Sequence, residues 1–215
     1  MLVGDRMSRP VITIPPDMPV VDALNLMKRD RIRRTPVVKD GKMVGIVSDK
    51  DLLNASPSPA TSLSVWEMNY LLSKITVREV MTRDILTVKE DTPIEEAARI
   101  MVDNKIGGLP VLRNDQLVGI ITETDLFKIF LELMGAREIG VRVTALIPNQ
   151  PGELAKLTQA ISSAGGNFIA FGTFTGEDPT NAMVTFKVTG MSEQQAKEII
   201  NSLAVEVIDI RICCR

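Results

Sequence analysis

Hydrophobic and polar positions recur in the first part of the chain at a fixed offset. A shift of 74 positions aligns residues 3–52 with residues 77–126 without a gap, and 16 aligned positions are identical. Self-similarity at a constant spacing indicates two copies of one structural unit. We therefore expect this part of the chain to fold as a pseudo-two-fold pair of modules.

Each copy predicts the same series of elements: a short strand, a helix, a hairpin of two strands and a second helix. Residues 39–41 and 113–115 have the composition that hairpin turns prefer. The second helix begins at Ser48 in one copy and at Thr122 in the other. The predicted strands are Val11–Ile14, Thr35–Lys39 and Met43–Val47, then Ile85–Val88, Leu109–Arg113 and Leu117–Ile121.

The segment between the copies, residues 56–76, is predicted to be a linker. Residues 56–59 alternate serine and proline, which breaks helices. Apolar residues at helical spacing from Val65 to Leu72 then predict a short helix that holds Trp66 and Tyr70. Such spacing is usually that of a packed face, so we expect this helix to pack on the repeats rather than stack on a ligand.

The pattern changes after Gly135, where a new series of strands and helices begins. Its order is βαββαβ, which predicts a ferredoxin-like domain. The predicted strands are Ile139–Ile147, Asn167–Thr175, Ala182–Thr189 and Ala204–Cys213, and the helices are Glu153–Ala164 and Ser192–Leu203.

The fold class is therefore a mixed α+β protein. We expect an αββα repeat at residues 1–55, the linker at 56–76, a second αββα repeat at 77–134 and the ferredoxin-like domain at 139–215.

The composition of the chain argues against several classes of function. The 215 residues carry 25 basic and 27 acidic side chains, and a net charge of −2 gives no general attraction to nucleic acid or to an anionic membrane. Histidine is absent from the sequence, which removes the commonest general base and most zinc sites. Cys213 and Cys214 are adjacent, without the spacing of metal ligands or of a redox pair. We expect a non-enzymatic protein without a metal site.

The sequence also favours a cytoplasmic location. Asp5 and Arg6 interrupt the N-terminus too early for a signal peptide. The uncharged run Leu157–Gly176 is too polar to cross a bilayer. A chain without a disulfide framework is typical of the reducing cytosol.

Both copies resemble CBS domains, through the hydrophobic-Pro-Val strand, the Gly-Ile turn and the Ser/Thr-x-x-Asp helix start. Residues 139–215 resemble an ACT domain through Pro151-Gly152-x-Leu154, the break at 165–167 and the element order. Asn149 departs from this pattern, since many ACT domains have an acidic residue there. The order CBS–CBS–ACT is similar to that of bacterial regulators linked to acetoin utilisation.

The resemblance implies that AMP, ADP, ATP or S-adenosylmethionine binds between the two copies. In Ser48-x-x-Asp51 and Thr122-x-x-Asp125 the carboxylate can accept both hydrogens of a ribose diol, and the helix start suits a phosphate. The same spacing is also a capping box that needs no ligand. The other predicted contacts are Thr13, Arg33, Arg34, Thr35 and Pro36 in the first copy, and Thr87, Gly107, Gly108, Leu109 and Pro110 in the second.

The two copies differ in their basic residues near this slot. Lys28 and Arg29 complement the dipole at a helix C-terminus. Arg33 and Arg34 lie beyond that helix and could neutralise phosphates, whereas the second copy has Gly107-Gly108 there. We expect two unequal sites, with the Arg33-Arg34 side better suited to a multiply charged phosphate.

For the ACT-like domain, the resemblance implies an amino acid or a similar metabolite as ligand. The turn 149–152 presents backbone donors at a helix start, where a carboxylate could bind. Its glycine can instead serve turn geometry alone, with the domain acting only in dimerisation. The predicted contacts are Asn149, Gln150, Gly152, Glu153, Leu154 and Asn167.

We therefore expect a regulatory sensor that forms a homodimer and acts on a partner enzyme. An adenine nucleotide would be its regulatory ligand, and no cofactor is required. A ligand-free interaction scaffold is the alternative. An enzyme would need a carboxylate or lysine site, and the sequence has no Walker-type loop or paired acids at the required spacing.

Overall fold

The structure, a computed structural model, describes residues 1–55 and 74–213. The chain divides into two compact units, Met1–Leu126 and Phe127–Arg215. The predicted linker helix around Trp66 and Tyr70 lies outside the described residues. Within those described, every helix is too short or too polar to cross a membrane.

Each repeat forms the predicted helix, hairpin and second helix, and it opens with a helical turn that the sequence did not predict. The hairpins have equivalent registers, with Arg34 opposite Ser48 and Gly108 opposite Thr122. The first repeat contains α1 (Val3–Arg6), α2 (Val20–Arg29), β1 (Arg34–Lys39), β2 (Lys42–Ser48) and α3 (Asp49–Asn54). The second contains α4 (Val77–Val80), β3 (Val88–Lys89), α5 (Ile94–Asp103), β4 (Gly108–Arg113), β5 (Gln116–Thr122) and α6 (Glu123–Leu133).

The strand predicted at the start of each repeat is shorter than expected. Val11–Ile14 is reduced to a single parallel bridge between Ile14 and Val37. Pro15 and Pro16 follow, and they lack the N–H groups that a longer ladder would need. In the second repeat only Val88 of the predicted strand is paired.

The segment that opens each repeat packs on the other repeat. Ser8 and Ile120 exchange backbone hydrogen bonds of 2.8 and 3.1 Å, and Thr82 and Ile46 exchange two of 2.9 Å. Val3 is fully buried in the core of the second repeat, and its counterpart Val77 in the core of the first. The two repeats therefore share both of their cores.

This exchange explains two of the aligned positions that are identical between the repeats. The side chain of Met7 fills the space that a Cβ atom on Gly119 would occupy, and Met81 does the same at Gly45. Glycine is needed at both positions because the partner methionine lies directly against the strand.

The second unit is a four-stranded antiparallel sheet with two helices on one face, which confirms the βαββαβ order. The strands lie side by side in the order β7-β8-β6-β9. Alternate residues of β6, from Val141 to Ile147, pack against Leu157 and Ile161 of the first helix. The elements are β6 (Gly140–Pro148), α7 (Glu153–Ser163), β7 (Asn167–Thr175), β8 (Asn181–Thr189), α8 (Glu193–Asn201) and β9 (Glu206–Cys213).

Val3→Ala should lower the free energy of unfolding of the first unit by about 2 kcal/mol, because it leaves a cavity in the core of the other repeat. Urea denaturation measures this loss. Val102→Ala is the matched control, since Val102 is 75% exposed on α5 and its truncation should cost little. Equal losses in the two variants would contradict the shared core.

Candidate functional site

The first hydroxyl and carboxylate pair lies where β2 leads into α3. The Ser48 Oγ donates to Asp51 Oδ2 at 2.6 Å, and the Ser48 N–H donates to the same oxygen at 2.8 Å. The Asp51 N–H donates back to Ser48 Oγ at 3.3 Å, which completes a capping box. Both bonds from Ser48 end on the same carboxylate oxygen, and Asp51 Oδ1 has no hydrogen-bond partner among the described residues.

The second pair makes the same two bonds to its carboxylate where β5 leads into α6. The Thr122 Oγ1 donates to Asp125 Oδ2 at 2.7 Å, and the Thr122 N–H donates to the same oxygen at 3.0 Å. Asp125 is buried, whereas Asp51 is half-buried. The capping alternative therefore describes the local structure of both pairs, and it holds both carboxylates in a fixed orientation.

The start of each first strand is tied to the start of each second helix. The Asp49 N–H donates to the Arg33 carbonyl at 2.9 Å, and the Glu123 N–H donates to the Gly107 carbonyl at 3.1 Å. These bonds place the main chain at residues 33–36 and 107–110 beside the two hydroxyl–carboxylate pairs. The structure thus brings these predicted residues together in each repeat.

The side chains of these strand starts are mostly engaged in the fold. Thr35 is fully buried, and its hydroxyl donates a short hydrogen bond to the Ile12 carbonyl. Pro36, Leu109 and Pro110 are also buried. Any contact of Thr35 with a ligand would therefore come from its backbone.

The structure places the two predicted threonines of the opening strands differently. Thr13 is exposed and lies between Ile12, whose carbonyl accepts from the Thr35 hydroxyl, and Ile14, whose N–H donates to the Pro36 carbonyl. Thr87 lines a cleft beside the hairpin turn at Asn114, and that cleft includes neither Thr122 nor Asp125.

Arg33 and Arg34 reach across to the second repeat, although their backbone lies in the first. The Arg33 Nη2 donates to Thr124 Oγ1 at 3.1 Å, and Arg34 Nη1 makes a short hydrogen bond to the Gly107 carbonyl. A Cβ atom on Gly107 would lie 2.5 Å from Arg34 Nη2 and 2.6 Å from Glu123 Oε2. The glycines thus leave room for the guanidinium of Arg34.

The surroundings of Arg34 shift its pKa in opposing directions. Burial lowers the pKa of this guanidinium, and the carboxylates of Glu123, Asp49 and Asp51 counteract part of that effect. Arginine nevertheless keeps its charge in proteins. The sequence predicted this positive charge for the first pair, but the guanidinium of Arg34 lies at the second pair.

Arg29 behaves as expected for a surface residue at the end of α2. It forms an ion pair with Asp30 at 2.8 Å, and its side chain is 73% exposed. The hydrogen bond from Arg29 lowers the pKa of Asp30.

The predicted ligand residues of the second unit fall into two places. Asn149, Gln150, Glu153 and Leu154 line one wall of a cleft of about 460 Å³, opposite the turn between β7 and β8. Gly152 has a φ of +94° and begins α7. Asn167 lies at the other end of the sheet, since it pairs with Thr189 whereas Pro148 pairs with Asn181.

The departure at Asn149 has a structural role in this cleft. Its Nδ2 donates to the Pro179 carbonyl at 3.1 Å, and its N–H donates to the Thr180 carbonyl at 2.8 Å. The side chain therefore holds the β7–β8 turn against the start of α7.

Sequence reasoning missed Glu123, whose charge acts on Arg34, and Thr124, which accepts a hydrogen bond from Arg33. The 74-residue shift places them opposite Asp49 and Lys50, so the alignment itself gave a signal. It gave no sign that the contact crosses between repeats.

Comparison with known proteins assigns family models to most of the chain. The CBS domain model matches residues 3–58 and 77–132, and the model described as a TTHA0829-like ACT domain matches residues 139–211. An uncharacterized protein of Methanocaldococcus jannaschii is 34% identical over 60% of this chain, which spans about half of that relative (47%). A second uncharacterized protein of the same organism is also 34% identical, over 60% of this chain and 90% of its own length.

Two solved structures resemble the first part of the chain. The CBS domain pair of the protein MJ0100, in complex with 5′-methylthioadenosine and S-adenosyl-L-methionine, is 31% identical with a TM-score of 0.51, over 60% of this chain and 95% of its own. A Vibrio cholerae protein, described provisionally as the acetoin utilization protein AcuB, is 35% identical with a TM-score of 0.53, over 63% of this chain and 93% of its own.

Gly107→Ala should lower the stability of the first unit by about 1 kcal/mol, because the new methyl group overlaps the Arg34 guanidinium. In an Arg34→Ala background the same substitution should cost less. A double-mutant cycle by urea denaturation tests this. Effects that add to within about 0.5 kcal/mol would contradict the contact.

Proposed function

Because the chain belongs to the CBS domain family, with a TTHA0829-like ACT domain after the CBS pair, we propose that it is a non-enzymatic regulatory protein that binds an adenine nucleotide in that pair. The observation that carries the proposal is the duplicated hydroxyl–carboxylate pair beside a strand start. Each pair presents a carboxylate in a fixed orientation next to main-chain groups that can read an adenine edge.

The ribose is the part of the ligand that these carboxylates suit best. A carboxylate has more acceptor positions than the capping box uses, and Asp51 Oδ1 is available for a diol. The two ligands in the related MJ0100 structure both contain an adenosine group. This likeness supports an adenosine-containing ligand here.

The charge around the second pair supports a phosphate on that ligand. Arg33 and Arg34 both direct their guanidinium groups to the second repeat, beside Thr124 and Gly107. AMP, ADP or ATP would meet this charge, whereas S-adenosylmethionine has no phosphate.

Regulation requires that the ligand favours one arrangement of the protein over another. In our proposal the nucleotide biases the packing of the CBS pair, and a homodimer passes this change to a partner enzyme in the cytoplasm. Likeness to the Vibrio cholerae protein supports acetoin utilisation as the process concerned.

Addition of AMP, ADP, ATP or S-adenosylmethionine should raise the melting temperature, because a ligand at 100 times its Kd stabilises the folded state by about 2.7 kcal/mol. Thermal shift identifies the ligand, and calorimetry measures its Kd.

Asp125→Asn should weaken binding about tenfold, since it removes a charged acceptor. Asp84→Asn, at an exposed loop position, is the matched control. If no ligand in this set binds, the interaction scaffold replaces the sensor.

We propose that the ACT unit dimerises, and that its cleft at residues 149–154 takes a small metabolite such as an amino acid. Ile208 and Ile212 are about half exposed on the edge strand β9, which supports a dimer in which a second copy of the chain packs on them.

Ile212→Lys should shift the chain towards monomer in sedimentation equilibrium, because it places a charge in the contact. A wild-type chain that sediments as a monomer would contradict the dimer.

A further inference from the structure

Arg34 has its backbone at the first hydroxyl–carboxylate pair and its guanidinium at the second. Its backbone begins β1 and lies opposite Ser48, at the first pair. Its guanidinium lies on the Gly107 carbonyl, at the second pair. A Cβ atom on Gly108 would lie 3.0 Å from Arg34 Cδ and 3.3 Å from Thr122 Cγ2, so the side chain passes directly beside Thr122.

The second repeat offers no equivalent side chain in return. The residue that corresponds to Arg34 after the 74-residue shift is Gly108. Arg33 is exposed and donates to Thr124, so it adds its charge to the second pair as well. The connection between the two pairs therefore comes from the first repeat, through the half-buried cation of Arg34.

Carboxylates from both repeats act on this cation. Asp49 and Asp51 come from the first repeat and Glu123 from the second, and each opposes the effect of burial on the guanidinium. A phosphate at the second pair would lie beside this guanidinium, and a phosphate at the first pair would add negative charge on the side of Asp49 and Asp51. The planar guanidinium binds a phosphate best in a bidentate geometry, and a phosphate that holds it in this way draws its charge towards one of the two pairs.

We infer that Arg34 couples the two nucleotide sites, so that a phosphate-bearing nucleotide in one site weakens the binding of a second nucleotide in the other. This inference rests on the proposed function and specifies how its two sites are regulated. Once one phosphate holds the guanidinium of Arg34, the second phosphate loses the attraction of that cation and still meets the nearby carboxylates. A nucleoside without a phosphate does not compete for Arg34, so adenosine should bind the two sites independently.

Calorimetric titration with AMP and with adenosine tests the coupling in the full chain. Asp51→Asn should weaken the first site about tenfold and Asp125→Asn the second, so each variant gives the association constant of the site that it leaves intact. The coupling factor is the overall two-site association constant of the wild-type chain divided by the product of the two single-site constants. We expect this factor to be about 0.1 for AMP and about 1 for adenosine.

Arg34→Met should bring the factor for AMP close to one, because it keeps the side-chain volume and removes the shared charge. Its single-site constants are measured in the same way, with each aspartate variant combined with Arg34→Met. Arg31→Met removes the same charge from an exposed residue and should keep the wild-type factor.

A wild-type factor near one, or an unchanged factor in Arg34→Met, would overturn the coupling while two-site binding still stands. Binding of AMP at a single site would also overturn it. If neither AMP nor adenosine binds, the proposed function itself fails and the coupling fails with it.

Discussion

The exchange of opening segments between the two repeats is the constraint on which the first unit depends. Val3 completes the core of the second repeat and Val77 completes that of the first, so neither repeat has a whole core of its own. Burial of such side chains is the main source of stability in small domains. The exchange therefore fixes the two repeats against each other, and the distances between their functional groups become properties of the fold.

The candidate site uses this fixed geometry. Backbone hydrogen bonds from Asp49 and Glu123 hold each strand start against a helix start, and the capping boxes orient the carboxylates of Asp51 and Asp125. One set of bonds thus stabilises the helix ends and prepares acceptors for a ligand. The capping and binding interpretations are compatible at the first pair, because the capping box uses one oxygen of the Asp51 carboxylate.

The two repeats have equivalent backbones but differ in their charged side chains. The two repeats have the same hairpin register, yet Arg34 crosses from the first repeat to a position where the second has only glycine. The second unit shows a similar combination of structural and chemical roles, since Asn149 lies in the cleft and also anchors the neighbouring turn.

The sequence by itself determined the two repeats, most strand and helix positions and the hydroxyl–carboxylate pairs, because these depend on local spacing and on a fixed offset. It overestimated the strands at Val11 and Ile85, because pairing depends on a partner that local propensity does not show. Only the tertiary structure decided that the opening segments exchange, that Thr13 stays exposed and that Arg34 serves the second repeat. Those outcomes depend on contacts between residues about 70 positions apart, where side-chain length and the absence of a Cβ at Gly107 decide which groups meet.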